Sequence, residues 1–86
     1  MKTVLEIEII VENFLDDSFH KKGYYYELID VTHYLYEENI LSEEECEIAN
    51  NSKYLQETLN CLLDVYESAI RKYVFKNFGY EYQGRL

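Results

Sequence analysis

The sequence predicts an all-α fold, a compact bundle of three long helices and one short helix joined by short connections. Apolar residues recur at three- and four-residue spacing along most of the chain, the pattern of amphipathic helices. Proline is absent and only three glycines occur in 86 residues, so the residues that most often interrupt helices are nearly missing. Hydrophobic residues make up 48% of the chain, which is typical of a folded domain despite a net charge of −9.

The length predicts a single helical domain, residues 1–86, with one core. Two cysteines, Cys46 and Cys61, are too few for the disulfide framework of a small secreted domain. Glu6 and Glu8 interrupt the apolar N-terminal stretch where a signal peptide needs an unbroken apolar region. No apolar run is long enough to span a membrane. We therefore expect a cytoplasmic protein that does not contact membranes.

The first predicted helix covers residues 3–20. Alternation of apolar and acidic residues would also fit a strand, but Ile10 breaks the alternation, and a helix places more apolar residues on one face. That face contains Val4, Ile7, Ile10, Val11, Phe14, Leu15 and Ser18, whereas Leu5, Ile9 and Phe19 lie off it. Gly23 follows two lysines and is the expected C-terminal signal.

The second predicted helix covers residues 24–39 and carries five of the ten tyrosines. Its apolar stripe contains Tyr24, Leu28, Val31 and Leu35, and Tyr25, Ile29, Thr32 and Tyr36 flank the stripe on one side. Tyr24, Tyr25 and Tyr36 are therefore expected in the core or at its margin. Tyr26 and Tyr34 are expected at the surface among carboxylates.

The third and fourth predicted helices cover residues 43–50 and 53–77. Ser42 and Glu45 have the spacing of a capping box at the start of the short third helix. Ser52 or Asn51 is expected to cap the fourth helix, although the two helices could also form one bent element. Leu55, Leu59, Leu62, Leu63, Tyr66, Ala69, Ile70 and Tyr73 share its apolar face, and Val74, Phe75 and Phe78 lie off it. Gly79 is expected to end this helix before a basic C-terminal tail.

Charge is unevenly distributed along the chain. Residues 27–47 contain eight acidic residues and no lysine or arginine, whereas residues 71–86 contain four basic residues and one acidic residue. Because phosphate backbones are bound mainly through lysine and arginine, the glutamate-rich third helix disfavours direct binding of nucleic acid. The acidic middle of the chain is either a solvated face or a surface for a basic protein partner.

Two tyrosines within this acidic segment favour the second interpretation, because tyrosine is enriched at interface hot spots. The predicted partner-binding residues are Tyr26, Glu27, Asp30, Tyr34, Glu37, Glu38, Glu43, Glu44 and Glu47. The partner expected for this surface is a nuclease or another basic, nucleic-acid-binding protein. In the alternative, a neighbouring helix or the tail covers the two tyrosines.

The sequence contains no pattern that indicates catalysis, a cofactor or a metal. Asp16 with His20, and His33 with Glu37, have i,i+4 spacing, but two ligands do not make a metal site. Glutamates surround Cys46 and disfavour a thiolate, so core or half-buried thiols are expected. We therefore predict a protein that is not an enzyme and has no catalytic, cofactor-binding or metal-ligating residues.

In length, acidity and helical content, the chain is similar to phage-encoded inhibitors of host defence, including anti-CRISPR proteins and other nucleic-acid mimics, and to colicin immunity proteins. The resemblance is one of class and involves no shared motif. Asn, Lys, Tyr, Ile and Phe greatly outnumber Ala, Gly, Pro and Arg, as in AT-rich genes of bacteria and phages. The resemblance implies an inhibitor in a bacterial cytoplasm, encoded by a phage or another mobile element. The alternative is a structural homodimer or adaptor that associates through the first and fourth predicted helices.

Overall fold

The computed structural model describes residues 1–82, which form five α-helices and no strand. The helices are α1 (Val4–His20), α2 (Leu28–Glu37), α3 (Glu43–Asn50), α4 (Lys53–Val65) and α5 (Glu67–Phe78). The predicted all-α class is confirmed. α1 packs against α2, α3 and α4, and α5 extends from the end of α4. None of these helices is long and apolar enough to cross a membrane. The last residues of the predicted basic tail, 83–86, lie outside the described part of the chain.

The core is built from one face of each helix. Its buried side chains are Ile7, Val11, Leu15, Phe19, Leu28, Val31, Leu35, Leu41, Cys46, Ala49, Leu55, Leu59, Leu63, Ile70 and Val74. In α1 they follow an i,i+4 row from Ile7 to Phe19, which winds around the helix by about 40° per step. The prediction that Phe19 lies off the buried face is therefore wrong. At the other edge of the predicted face, Val4 is exposed.

The predicted start of the second helix at residue 24 is wrong, because α2 begins at Leu28. Three consecutive tyrosines precede it in a non-helical connection. The Tyr24 ring lies 5.3 Å from that of Phe19, and the Tyr25 ring lies 5.6 Å from that of Phe14. In a helix, Tyr24 and Tyr25 would point about 100° apart and could not both pack on α1 in this way. The packing of both rings on α1 therefore outweighs the modest helix propensity of tyrosine.

Side-chain caps begin three of the helices. Ser42 Oγ accepts from the Glu45 amide, and Glu45 Oε1 accepts from the Ser42 amide, which confirms the predicted capping box. Thr3 forms the same arrangement at the start of α1. Ser52 rather than Asn51 caps α4, so α3 and α4 are separate helices.

The fourth predicted helix has nearly the observed extent but is divided into α4 and α5 by a bend at Tyr66, where φ is −100° and ψ is 12°. The Tyr66 ring packs 5.7 Å from that of Phe19 at the end of α1. Beyond the bend, the buried face of α5 contains Ile70 and Val74. The prediction that Val74 lies off the apolar face is wrong, because a straight helical wheel does not include the change of direction at Tyr66.

Three residues with left-handed backbone conformations follow helix ends. Gly79 ends α5 as predicted, with φ at 73°. Asn39, at 61°, follows α2. After α1 the left-handed residue is Lys22, at 62°, and not the predicted Gly23. Gly23 instead closes the turn by donating its amide to the Ser18 carbonyl at 2.7 Å. A lysine therefore occupies a conformation that favours glycine.

Candidate partner-binding surface

A groove between α2 and α3 lies within the acidic part of the chain. Its lining residues are Ile29, Thr32, His33, Tyr36, Glu43, Cys46, Glu47 and Asn50, and its volume is about 380 Å³. We call it the α2–α3 groove. α2 contributes Ile29, His33 and Tyr36 at i,i+4,i+7 spacing, which makes one wall continuous. α3 has only eight residues and leaves Ile29 and Tyr36 on that wall exposed.

Hydrogen bonds join the floor of the α2–α3 groove. The Thr32 hydroxyl donates to Asn50 Oδ1 at 2.9 Å, and the Cys46 thiol donates to the Thr32 carbonyl at 3.3 Å. Thr32 and Cys46 are buried, and Asn50 is half-buried. Because these contacts connect α2 to α3 directly, the two walls are held at a constant separation.

The walls of the groove combine apolar area with negative charge. Ile29 is 59% exposed and Tyr36 is 49% exposed. Glu43 and Glu47 stand one helical turn apart on the opposite wall and are exposed. The His33 imidazole lies on the α2 wall, and its Nε2 atom lies 2.8 Å from the Glu37 carboxylate. Two exposed apolar side chains are therefore presented beside carboxylates.

The structure brings together some of the predicted partner-binding residues and separates others. Glu43 and Glu47 line the α2–α3 groove, and Tyr26 and Glu27 line an adjoining concavity that shares Ile29 and Asn50 with the groove. Two other concavities adjoin the opposite end: Glu44 lines one that shares Glu43 with the groove, and Glu37 lines one that shares Tyr36. Asp30 and Glu38 are exposed on or just after α2.

The two tyrosines at the centre of the predicted surface are partly covered. The Tyr26 ring stacks on that of Tyr82 at 5.7 Å, and the Tyr34 ring stacks on that of Phe14 at 5.2 Å. They remain 38% and 41% exposed, respectively. Tyr26 precedes α2, so it does not share a helical face with Asp30 and Tyr34. Helical geometry also places Tyr34 on the flank of α2 away from Ile29.

Sequence reasoning missed Ile29 and Tyr36, which it placed beside the core. Tyr36 in particular was predicted at the core or its margin, and this is wrong, because about half of it is exposed. A signal for the groove was present in the sequence. The predicted third helix spans only about two turns and the side stripe of α2 from Ile29 to Tyr36 is just as long, so any offset between the two helices leaves part of the stripe exposed.

The two cysteines have different environments, and the possible metal ligands are dispersed. Burial, together with Glu45 and Glu43, raises the pKa of the Cys46 thiol, which keeps it protonated. Cys61 is exposed, so the prediction that both thiols are buried or half-buried is wrong for Cys61. Its position on α4 lies just beyond the buried Leu59, on the solvent side. Within residues 1–82, no three His, Cys, Asp or Glu side chains cluster as metal ligands do.

The chain matches no protein-family model, and no curated protein and no solved structure is significantly similar to it. The function is therefore argued from the geometry and charge of the surface.

Proposed function

We propose that this protein is a non-catalytic inhibitor that docks its acidic helical surface onto a basic, nucleic-acid-binding site of a partner protein. The observation that carries the proposal is the presence of half-exposed Ile29 and Tyr36 beside Glu43 and Glu47 in one groove. Apolar and aromatic side chains within a charged rim are characteristic of protein–protein interfaces. The carboxylates would occupy positions that phosphates otherwise take.

Charge complementarity supports a basic partner. Residues 27–47 contain no lysine or arginine, although the fold brings the Lys2 ammonium to within 3.7 Å of Glu45, so the segment itself presents carboxylates and no cationic side chain of those two types to a basic site. Such complementarity accelerates encounter and discriminates against acidic partners. The rigid connection through Thr32, Cys46 and Asn50 reduces the ordering cost of binding. The predicted residues Glu27, Glu37 and Glu44 then form the rim around the groove.

We place this activity in a bacterial cytoplasm, with the gene carried by a phage or another mobile element. Two free cysteines, one of them exposed, suit a reducing compartment. The codon-biased composition and the resemblance in class to phage inhibitors and immunity proteins support the same setting.

The test uses the tagged protein as bait in a lysate of the cell that carries the gene. The captured protein is identified, and its binding to nucleic acid is measured with and without the bait. We expect a basic protein whose nucleic-acid binding is inhibited, with affinity that falls as salt concentration rises. The double reversal Glu43→Lys/Glu47→Lys should abolish capture and inhibition. The control Glu57→Lys/Glu81→Lys changes the net charge equally at exposed positions outside the groove and should retain both.

Two results would contradict the proposal. The first is a captured partner whose nucleic-acid binding is unchanged by saturating bait. The second is equal loss of capture in the groove reversal and the control. The reversal Asp30→Lys/Glu38→Lys separately measures how far the interface extends over the outer face of α2. Ile29→Ser should weaken capture without changing the net charge, because it removes apolar area from the groove wall.

A structural homodimer is the second candidate function. Leu5 is 66% exposed on α1, and Phe75 and Phe78 are 66% and 60% exposed on α5, so apolar area remains uncovered on both elements. Phe19 and Val74, which were predicted to lie off the apolar faces, are buried, so less apolar area is exposed than the sequence suggested. Analytical ultracentrifugation tests this second candidate, which is compatible with the first. A dimer at micromolar concentration that Phe75→Ser dissociates supports association through α5, and a monomer contradicts it.

A further inference from the structure

A small cleft between the α1–α2 connection and α5 reverses the charge that prevails on the rest of the described surface. Its lining residues are Lys22, Tyr24, Ala69, Lys72, Tyr73, Lys76 and Asn77, and its volume is about 340 Å³. We call it the lysine cleft. No carboxylate is among these residues, whereas each of the four other concavities described is lined by at least one glutamate. The volume is near the lower end of the roughly 300–1,000 Å³ that ligand pockets occupy.

The ammonium groups of the three lysines of the cleft have no polar partner within the described residues. Within residues 1–82, Lys22, Lys72 and Lys76 form no ion pair and no side-chain hydrogen bond, whereas their neighbours Lys21 and Arg71 form both. Lys72 and Lys76 stand one turn apart on α5, which keeps them on the same face. Like charges held in one cleft repel each other, and a bound anion relieves that repulsion.

Lys22 occupies this position at a conformational cost. Its φ of 62° is in the left-handed region, which is disfavoured for a residue with a Cβ atom relative to the right-handed conformation. Glycine would remove the strain and would end α1 equally well. A strained lysine that lines a cleft is the kind of outlier that suggests a role for the side chain.

Two tyrosines form the flat walls of the lysine cleft. The ring centroids of Tyr24 and Tyr73 are 5.3 Å apart, and the ring planes meet at 85°. Both side chains are half-buried and therefore held in place. Two perpendicular rings create a corner in which a third flat ring can stack on one face and meet the edge of the other. Burial and the neighbouring Tyr66 raise the pKa of Tyr24, so its hydroxyl stays available as a donor.

We propose that the lysine cleft binds a small phosphate ester that carries a flat aromatic ring, such as a nucleoside monophosphate. The ring would lie against Tyr24 and Tyr73, and the phosphate would contact the ammonium groups of Lys22, Lys72 and Lys76. Aromatic stacking combined with lysine contacts is the way proteins hold nucleotides without a sequence motif. This inference does not depend on the α2–α3 groove or on the proposed inhibitor function.

The test is an NMR titration of the isotopically labelled protein, followed through backbone amides. The probes are adenosine 5′-monophosphate, adenosine and inorganic phosphate. We expect adenosine 5′-monophosphate to cause saturable shifts at residues 22–24 and 69–77, and the other two probes to bind more weakly. Lys22→Gly should weaken binding by about ten-fold or more, as expected for the loss of one charge-assisted contact, while the protein stays folded. Lys72→Gln provides a second variant whose backbone is unstrained.

The matched control is Lys53→Gln, which removes the same charge at an exposed position on α4 outside the cleft. It should leave the affinity unchanged. Four outcomes would overturn the inference: no saturable shifts at millimolar ligand, equal affinity for inorganic phosphate, equal affinity for adenosine, or an equal effect of Lys53→Gln. A short oligoglutamate peptide that displaces the nucleotide and binds more tightly would also overturn it, in favour of an acidic polypeptide ligand.

Discussion

Glu45 Oε2 accepts a hydrogen bond from the backbone amide of Lys2 at 2.8 Å, although the two residues are 43 positions apart in sequence. The same carboxylate accepts the Ser42 amide at 2.8 Å through its other oxygen. Its side chain is almost completely buried, and the Lys2 ammonium lies 3.7 Å away. One glutamate therefore caps α3 and also fastens the N-terminus of the chain to it.

The first prediction concerns this carboxylate and pH. Hydrogen bonds from the Ser42 and Lys2 amides lower the pKa of Glu45 from 4.5 to about 2. Because the folded-state pKa is depressed, the stabilisation is complete above pH 4.5 and is lost as the pH falls towards 2. We expect Glu45→Gln to lower the urea midpoint at pH 7 and to differ much less from the wild type near pH 2.

The control for this experiment is Glu44→Gln, which alters an exposed carboxylate in the same helical turn. Its urea midpoint should stay close to that of the wild type across the pH range. A Glu45→Gln variant that unfolds like the wild type at pH 7 would contradict the anchoring role.

The second prediction concerns core packing between α1 and α4. Leu59 is completely buried in the middle of α4. Leu59→Ala should lower the free energy of unfolding by about 2–5 kcal/mol, because it removes buried apolar area and leaves a cavity. Leu5→Ala is the matched control, because Leu5 is 66% exposed and its loss should change stability by less than about 0.5 kcal/mol. Urea denaturation measures both, and similar effects would disprove the placement of Leu59.

The third prediction compares two positions with a left-handed backbone conformation, one occupied by glycine and the other by lysine. Gly79 and Lys22 have φ values of 73° and 62°. Gly79→Ala should destabilise the fold by about 1 kcal/mol, and the space around Gly79 is open, so the effect is conformational rather than steric. Lys22→Gly should instead stabilise it by a similar amount. Thermal or urea unfolding checks the two signs, and shifts in the same direction would contradict the assignment.

The fourth prediction concerns the two thiols. Cys61 is exposed, whereas Cys46 is buried and its pKa is raised. A thiol-specific reagent at pH 8 should modify Cys61 at least about ten-fold faster than Cys46 in the folded protein. In denaturing urea the difference should disappear. The variants Cys61→Ser and Cys46→Ser assign the two rates, and fast modification of both thiols in native buffer would be inconsistent with the burial of Cys46.

Local signals in the sequence predicted the elements of the fold well. The Ser42 and Glu45 spacing predicted the start of α3, and Gly79 predicted the end of α5. These features are encoded within a few residues because caps and left-handed glycines satisfy backbone groups of their own helix. Local propensity failed at Tyr24, where contacts with distant aromatic rings decide the conformation.

The predicted site was only partly recoverable for the same reason. A helical wheel identified the acidic segment, including Glu43 and Glu47, because charge is a property of composition. It did not identify Ile29 and Tyr36 as groove residues, because their exposure depends on the length and position of α3. The sequence left open whether a neighbouring helix or the tail covers Tyr26 and Tyr34, and the structure shows partial cover of Tyr26 by Tyr82 and of Tyr34 by Phe14.

Residue pattern and composition were enough to predict the all-α class, the approximate extent of most helices and the segregation of charge along the chain. Periodicity and composition are properties of the residue order, so they can be assessed without knowing how the helices pack. Only the tertiary structure decided the bend at Tyr66, the exposure of the α2–α3 groove and the assembly of the lysine cleft. Each of these joins residues from separate segments, and the energy of such contacts depends on how helices pack rather than on any one stretch of chain.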